Sequence, residues 1–304
     1  MEDTLPPVVS IGNLAMGGRG KTPLVAYLAR KLVANGERPA ILTRGYGRQK
    51  VEDGVVVVSD GEHLLADLDR SGDEPLMLAR SIPGAIVLVC EQRAIAAAMA
   101  TQTFRATVLL LDDGFQHRAM RRDVDLVIVA AEDLRARRLP FGPLREGPGA
   151  LRRASAVVID GEMSPADRAS LPVPAFTMTR TLGGPTPIER GNSAPAPGAS
   201  VVALAAIARP ERFSQALQSA GFTVLRSLTF RDHHQFSLRD VAAAASAMRE
   251  SGASAVLTTE KDAVRLLPYR PLPVPIAYVP LTVGFDPAQG FDRWCAERLQ
   301  GIRA

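Results

Sequence analysis

Short apolar runs alternate with amphipathic stretches along most of this chain. Residues 8–11, 39–43, 55–58, 86–90, 108–111, 124–130 and 156–159 are brief, largely apolar and rich in β-branched side chains, so each predicts a buried strand. Between them, residues 23–35 carry Leu24, Val25, Leu28, Leu32 and Val33 on one helical face, stopped by Asn35-Gly36. A second helix opens at Ser71-Gly72-Asp73-Glu74-Pro75 and runs through Arg80, and an alanine-rich third covers 91–101. Strands alternating with helices predict an α/β fold of the doubly wound parallel type. Composition turns to Gly, Pro, Ser, Thr and Asn over residues 181–199, which marks a boundary. A second series follows, with strands at 201–206, 223–225, 255–258 and 276–279. Its helices begin at Pro210-Glu211 and Ser237, and a terminal helix covers 291–299. The expected domains are therefore 1–180 and a smaller α/β domain, 181–304, whose C-terminal segment could pack back on the first.

Composition narrows the class. With 304 residues and 46% hydrophobic content the chain can bury one large core or two moderate ones. No apolar run approaches the ~20 residues of a membrane-spanning helix. The start, Met1-Glu2-Asp3, is acidic and lacks the apolar stretch of a signal peptide, so a cytoplasmic protein is expected. Cys90 and Cys295 suit a reducing compartment and suggest neither zinc nor a disulfide framework. The net charge of +4 is unevenly placed: residues 118–153 hold nine arginines against five acids. Such an excess suits an anionic substrate or membrane surface. Only Lys21, Lys31, Lys50 and Lys261 are lysines, and two of them fall inside motifs.

Candidate chemistry gathers at strand ends. Ala15-Met16-Gly17-Gly18-Arg19-Gly20-Lys21-Thr22 lies between the first strand and the first helix, the setting of a phosphate-binding loop. Its glycines let backbone N–H groups turn toward phosphate oxygens, Lys21 would reach the β- and γ-phosphates, and the Thr22 hydroxyl would hold Mg²⁺. Ala15 occupies a position usually given to glycine, so a slightly different path into the loop is expected. The strand at 108–111 runs into Asp112-Asp113-Gly114-Phe115-Gln116-His117, where paired carboxylates would bind Mg²⁺ directly or through water. Arg44-Gly45-Tyr46-Gly47-Arg48 also follows a strand, at the edge where open parallel sheets bind ligands. Asp73 and Glu74 read as helix-capping acids, with Pro75 at the first helical position. A Gly/Pro-rich loop, 140–148, carries Arg145 and Glu146, and Asp232-His233-His234 precedes the helix at Ser237. That triplet fits a histidine base or orienter better than a metal pair, with a plain surface loop as the alternative.

In order, these motifs resemble the tetraacyldisaccharide 4′-kinase family, together with Gly12-Asn13-Leu14, Gly72-Asp73-Glu74-Pro75, Gly142-Pro143-Leu144-Arg145-Glu146, residues 207–213 and Thr259-Glu260-Lys261-Asp262. The resemblance implies a P-loop NTPase-like core, ATP and Mg²⁺ as cofactors, and phosphoryl transfer to the 4′-hydroxyl of a tetraacyldisaccharide 1-phosphate. It implies a site between two α/β domains. Asp73 and His233 would take the acceptor proton, His233 being favoured over His234. Thr22, Asp112, Asp113 and Glu146 would manage Mg²⁺. Arg44, Tyr46, Arg93, Gln116, His117 and Arg145 would face the phosphates or the sugar head group. A monomer at the cytoplasmic face of the inner membrane, with no nucleic-acid partner, is expected. Family members usually carry a membrane-associated helix before the phosphate loop; here only residues 1–7 precede the first strand. Either the start lies elsewhere, or membrane contact relies on the basic segment and exposed apolar loops. Arg48 and Ala206 stand where glycine is common. The competing reading, a P-loop switch or metallochaperone-type NTPase, would need a guanine-selecting motif or metal-binding Cys/His clusters, and neither is present.

Overall fold

The first strand, β1 (Val8–Asn13), is buried at every position and sits inside a nine-stranded sheet. The structure is a computed structural model that describes residues 5–117 and 119–303; the acidic start and Arg118 lie outside the described residues. β1 pairs in parallel with β5 (Val108–Asp112) on one side and β6 (Val124–Val129) on the other. Beyond β5 come β2 (Pro39–Thr43), β4 (Ile86–Val89) and the antiparallel edge β3 (Val56–Asp60). Beyond β6 come β7 (Ala156–Asp160), β8 (Ala175–Leu182) and β14 (Leu281–Asp286). The chain therefore changes direction across the sheet at β1. In a doubly wound sheet this switch opens a crevice at the carboxyl ends of the central strands.

The helices follow the predicted alternation: α1 (Lys21–Ala34), the short α2 (Leu68–Ser71), α3 (Asp73–Ser81), α4 (Arg93–Gln102) and α5 (Pro165–Ala169). The chain divides into two compact units, Met1–Arg180 with Val283–Ala304, and Thr181–Thr282. Residues 283–303 pack in the first unit for a clear reason. There α9 (Ala288–Arg303) stacks Phe291 on Phe285 at 3.7 Å between ring centroids, and Asp292 accepts hydrogen bonds from Tyr27 (2.6 Å) and Lys31 (2.7 Å).

The second unit has a five-stranded sheet ordered β11 (Thr223–Thr229), β10 (Ser200–Ala205), β12 (Ala255–Thr259), β13 (Ile276–Val279) and β9 (Thr186–Pro187). All pairs are parallel except the edge pair of β13 with β9. Its helices are α6 (Pro210–Ser219), α7 (Leu238–Ser251) and α8 (Glu260–Leu266). α7 starts with a capping box in which Ser237 and Asp240 satisfy each other's backbone N–H.

Candidate active site

The phosphate loop grows directly out of β1. Gly20, with φ 83°, turns the chain in the left-handed region and caps α1, so the helix begins at Lys21 and not at Pro23. No acid sits in the first turn of α1, which leaves its positive end open to an anion. Ala15 needs no glycine conformation; it is buried and bridges to Leu144 in the 142–145 segment. That segment straps the loop from outside, with Met16 N–H donating to Pro143 O (2.8 Å) and Arg145 N–H to Leu14 O (2.7 Å). Arg19 turns inward, donating to Glu132 (2.7 Å) and to the fully buried Asp133 (2.5 Å). Met16 and the backbone of Gly17 and Gly18 remain open, and a Cβ at either glycine would meet nothing within 4 Å.

Lys21 points back over the loop. Its Nζ lies 3.2 Å from Asn13 Oδ1 and 3.4 Å from Asp113 Oδ1. Arg145 reaches the same carboxylate, with Nη1 at 3.0 and 2.9 Å from its two oxygens. Burial pushes the Asp113 carboxyl up, but Lys21 and Arg145 outweigh it and hold it below the usual carboxylate range. Asp113 adopts φ 55°, the left-handed region that costs a non-glycine residue and recurs at functional sites. Gln116 fixes the same turn by donating to Asn13 O (2.9 Å).

Asp112, at the end of β5, has the opposite character. Burial pushes its carboxyl up to about 7, and the neighbouring Glu74 adds to the rise while Lys21 and Arg93 oppose it. Its Oδ1 has no hydrogen-bond partner among the described residues. Arg93, almost fully buried, donates Nη2 to Asp112 O (2.7 Å), and its Nε and Nη1 have no partner among the described residues. A buried carboxylate oxygen and two buried N–H groups without partners fit a cation and an anion that arrive together. Glu74 Oε2 stands 3.5 Å from Thr22 Oγ1, an acid beside the site that the sequence suggested only as a cap. Among the described residues no group of three or more His, Cys, Asp or Glu could by itself hold a metal ion.

The other candidates are spread around this centre. Asp73 is the first residue of α3 behind Gly72, not its cap; it is buried, and its Oδ1 accepts from Glu74 N–H (2.8 Å). Pro75 accordingly sits third in the helix, not first. Burial lowers the His117 pKa, and Arg93, Arg44 and Arg122 lower it further. Tyr46 is exposed at the tip of its loop. Glu146 pairs with Arg153 at 3.0 Å, and Arg153 covers the ring of Phe115. In the second unit, His233 lies against Lys261 (3.2 Å from Nε2), whereas His234 bonds Asp240 of the α7 capping box (3.1 Å) and stacks on Phe230. Glu132 and Asp133, the partners of Arg19, carry no motif spacing of their own.

A family model described as tetraacyldisaccharide-1-P 4′-kinase matches residues 3–300. The tetraacyldisaccharide 4′-kinase of Anaeromyxobacter sp. (strain Fw109-5) is 42% identical over 283 residues, covering 87% of this chain and 74% of that protein. The enzyme of the same name from Syntrophus aciditrophicus (strain SB) is 36% identical over 315 residues, covering 96% and 84%. Among solved structures, LpxK from Aquifex aeolicus in complex with ATP gives a TM-score of 0.77 at 28% identity, covering 97% of this chain and 89% of that one.

Proposed function

The chain belongs to the tetraacyldisaccharide-1-P 4′-kinase family, and from that premise we propose that it transfers the γ-phosphate of ATP to the 4′-hydroxyl of a tetraacyldisaccharide 1-phosphate in lipid A synthesis. The observation that carries this reading is the convergence at the β1 switch point. There Lys21, Asp113 and Arg145 form one charged network over the loop, beside an Asp112 oxygen with no partner among the described residues.

Phosphoryl transfer asks mainly for positioning and charge neutralisation. The loop amides and the start of α1 would cradle the β- and γ-phosphates. Lys21, now shared between Asn13 and Asp113, would swing its ammonium onto them. Thr22, Asp112 and Asp113 would hold Mg²⁺ together with waters, with Glu146 as a further ligand by resemblance; bound there, Mg²⁺ would supply charge neutralisation. Arg93 would bind an anionic oxygen with its unanswered N–H groups, and Arg145 and Gln116 would steady the transferring group. His117, its basicity lowered, serves as a neutral hydrogen-bond partner. Arg44 and Tyr46 would face the sugar head group. Asp73 and His233 would take the acceptor proton, since a sugar hydroxyl attacks poorly without a base and such help is worth roughly 10²–10⁴-fold.

The acceptor is an anionic glycolipid, so we also propose a peripheral position, as a monomer, at the cytoplasmic face of the inner membrane. Exposed Leu139 and Phe141 beside Arg137 and Arg138 support it. Among the described residues no helix is long and apolar enough to cross a membrane. The direct test is transfer from radiolabelled ATP to tetraacyldisaccharide 1-phosphate in detergent micelles. Asp73→Ala is expected to lose nearly all transfer while still binding nucleotide. Full transfer in that variant would reject the proton-accepting pair, and nucleotide turnover indifferent to the acceptor would favour a switch NTPase.

A further inference from the structure

Lys261 occupies an unusual place for a cation. It is the second residue of α8, at the helix end where the dipole disfavours positive charge. Its side chain is largely buried, and it is one of only four lysines in an arginine-rich chain. The Nζ lies 3.2 Å from His233 Nε2 and 3.4 Å from Asp232 Oδ1. An ammonium has no lone pair, so Lys261 donates and His233 Nε2 accepts. The imidazole proton must then sit on Nδ1 in the neutral ring.

The position is fixed from both sides. Behind Lys261, Asp262 and Arg265 form a fully buried pair at 2.8 Å. Asp262 also accepts from Ala206 N–H (3.0 Å) and Thr259 Oγ1 (2.8 Å), and Arg265 donates to Ala206 O (3.1 Å). The start of α8 is thereby clamped to the end of β10. In front, His233 itself is held at φ 60°, with its backbone N–H bonded to Asp232 Oδ1 (3.0 Å). A histidine in this left-handed conformation is strained, and such strain persists only where the surroundings enforce it.

We propose that Lys261 is the positioning residue that sets the tautomer of His233, occupying Nε2 in the resting protein and placing the ring proton on Nδ1. Nδ1–H is then the donor face of the ring, offered to a carboxylate, so that the carboxylate takes the acceptor proton and His233 orients it. Among the described residues, the charged groups facing His233 include Asp232 from its own loop and Lys261 from α8, with Asp232 Oδ1 3.9 Å from Nε2. The proposal rests on the reading that His233 assists the carboxylate that takes the acceptor proton, but the tautomer can be measured without turnover.

The chain has four histidines, so the ring nitrogens of His233 can be resolved by long-range ¹H–¹⁵N correlation at a pH where all are neutral, with His233→Gln identifying the signal. The full chain should show His233 as the Nδ1–H tautomer. Lys261→Met should convert it to the Nε2–H form and lower kcat about ten- to a hundredfold, the loss seen when a partner that orients a metal-binding histidine is removed, with KM for ATP unchanged. Lys261→Arg, which keeps a donor, should retain the Nδ1–H form and part of the activity. An unchanged tautomer in Lys261→Met, or Nε2–H in the parent protein, overturns the proposal. A tautomer that switches while His233→Gln keeps full kcat leaves the Lys261 contact standing and removes the reading of His233 on which its purpose rests. Should Lys261→Met not fold, Lys261→Arg and the parent spectrum still decide.

Discussion

Asp112 and Asp113 are adjacent and chemically alike, yet the fold sends them in opposite directions. Asp113 turns out to meet Lys21 and Arg145 and stays ionised. Asp112 stays at the buried strand end, and burial, with Glu74 close by, raises it from 3.8 to about 7. Because the folded protein then holds a proton that the unfolded chain has released, stability contributed by Asp112 falls as pH rises from about 4 to about 7. In the absence of metal and nucleotide, the melting temperature should drop more steeply across this window in the parent protein than in Asp112→Asn. Adding Mg²⁺ and ATP should reverse the difference, because a cation at Asp112 replaces the proton. Binding near pH 6.5 should therefore release a proton, detectable as a calorimetric heat that depends on buffer ionisation, and Asp112→Asn should abolish it. Parallel melting profiles for the two proteins would mean that Asp112 is not held protonated. The sequence names both acids because a strand ending in two aspartates is a local pattern. It cannot tell them apart, since the difference comes from Arg145, thirty-two positions away, and from Glu74, which α3 brings in.

At the scale of elements, one glycine shows how β1 and the turn after β5 are fitted. A Cβ on Gly12 would lie 2.4 Å from Phe115 Cβ and 2.9 Å from its backbone nitrogen. Phe115 cannot retreat, being fully buried in a cluster with Leu14, Val127 and Leu144. Gly12→Ala should therefore cost on the order of 1–3 kcal/mol, the usual penalty for overpacking. It should also push Gln116 and Asp113 away from Lys21 and raise KM for ATP, as steady-state kinetics would reveal. A variant with parent stability and KM would show that the turn is looser than its packing implies. Strands β1, β2, β4 to β7, β10, β12 and β13 were legible because each is a short apolar run buried on both faces. β8 and β14 were not: AFTMTRTL buries only Met178, and LTVGFD only Val283 and Phe285, so neither yields a continuous apolar signal. α8 is not among the predicted helices, because Thr259-Glu260-Lys261-Asp262 is polar and opens a helix of only seven residues, too short for a clear apolar period.

For the molecule as a whole, the basic excess takes on shape at one loop. Leu139 N–H bonds Leu144 O (2.8 Å), Phe141 N–H bonds Arg138 O (2.9 Å), and Leu144 N–H bonds Arg137 O (3.2 Å), so the loop is closed upon itself. Gly142 packs so tightly that a Cβ would lie 2.3 Å from Arg137 O. Phe141 is nonetheless 83% exposed and Leu139 51%. Large apolar side chains on a rigid loop beside arginines, on the same strap that holds the phosphate loop, suit a surface whose outer layer is anionic and whose interior is apolar. Inserting one such ring is worth roughly 1.5–3 kcal/mol, and each nearby arginine about 1 kcal/mol at low salt. Phe141→Ser should thus weaken sedimentation with anionic phospholipid vesicles about tenfold or more. Added salt should weaken the parent protein as well, through its arginines. Phosphorylation of an acceptor dispersed in detergent should be little changed, since Phe141 lies outside the charged network of Lys21, Asp113 and Arg145. Equal vesicle binding by Phe141→Ser and the parent protein would place membrane contact elsewhere on the molecule, and equal loss of activity in detergent would make Phe141 part of acceptor recognition instead.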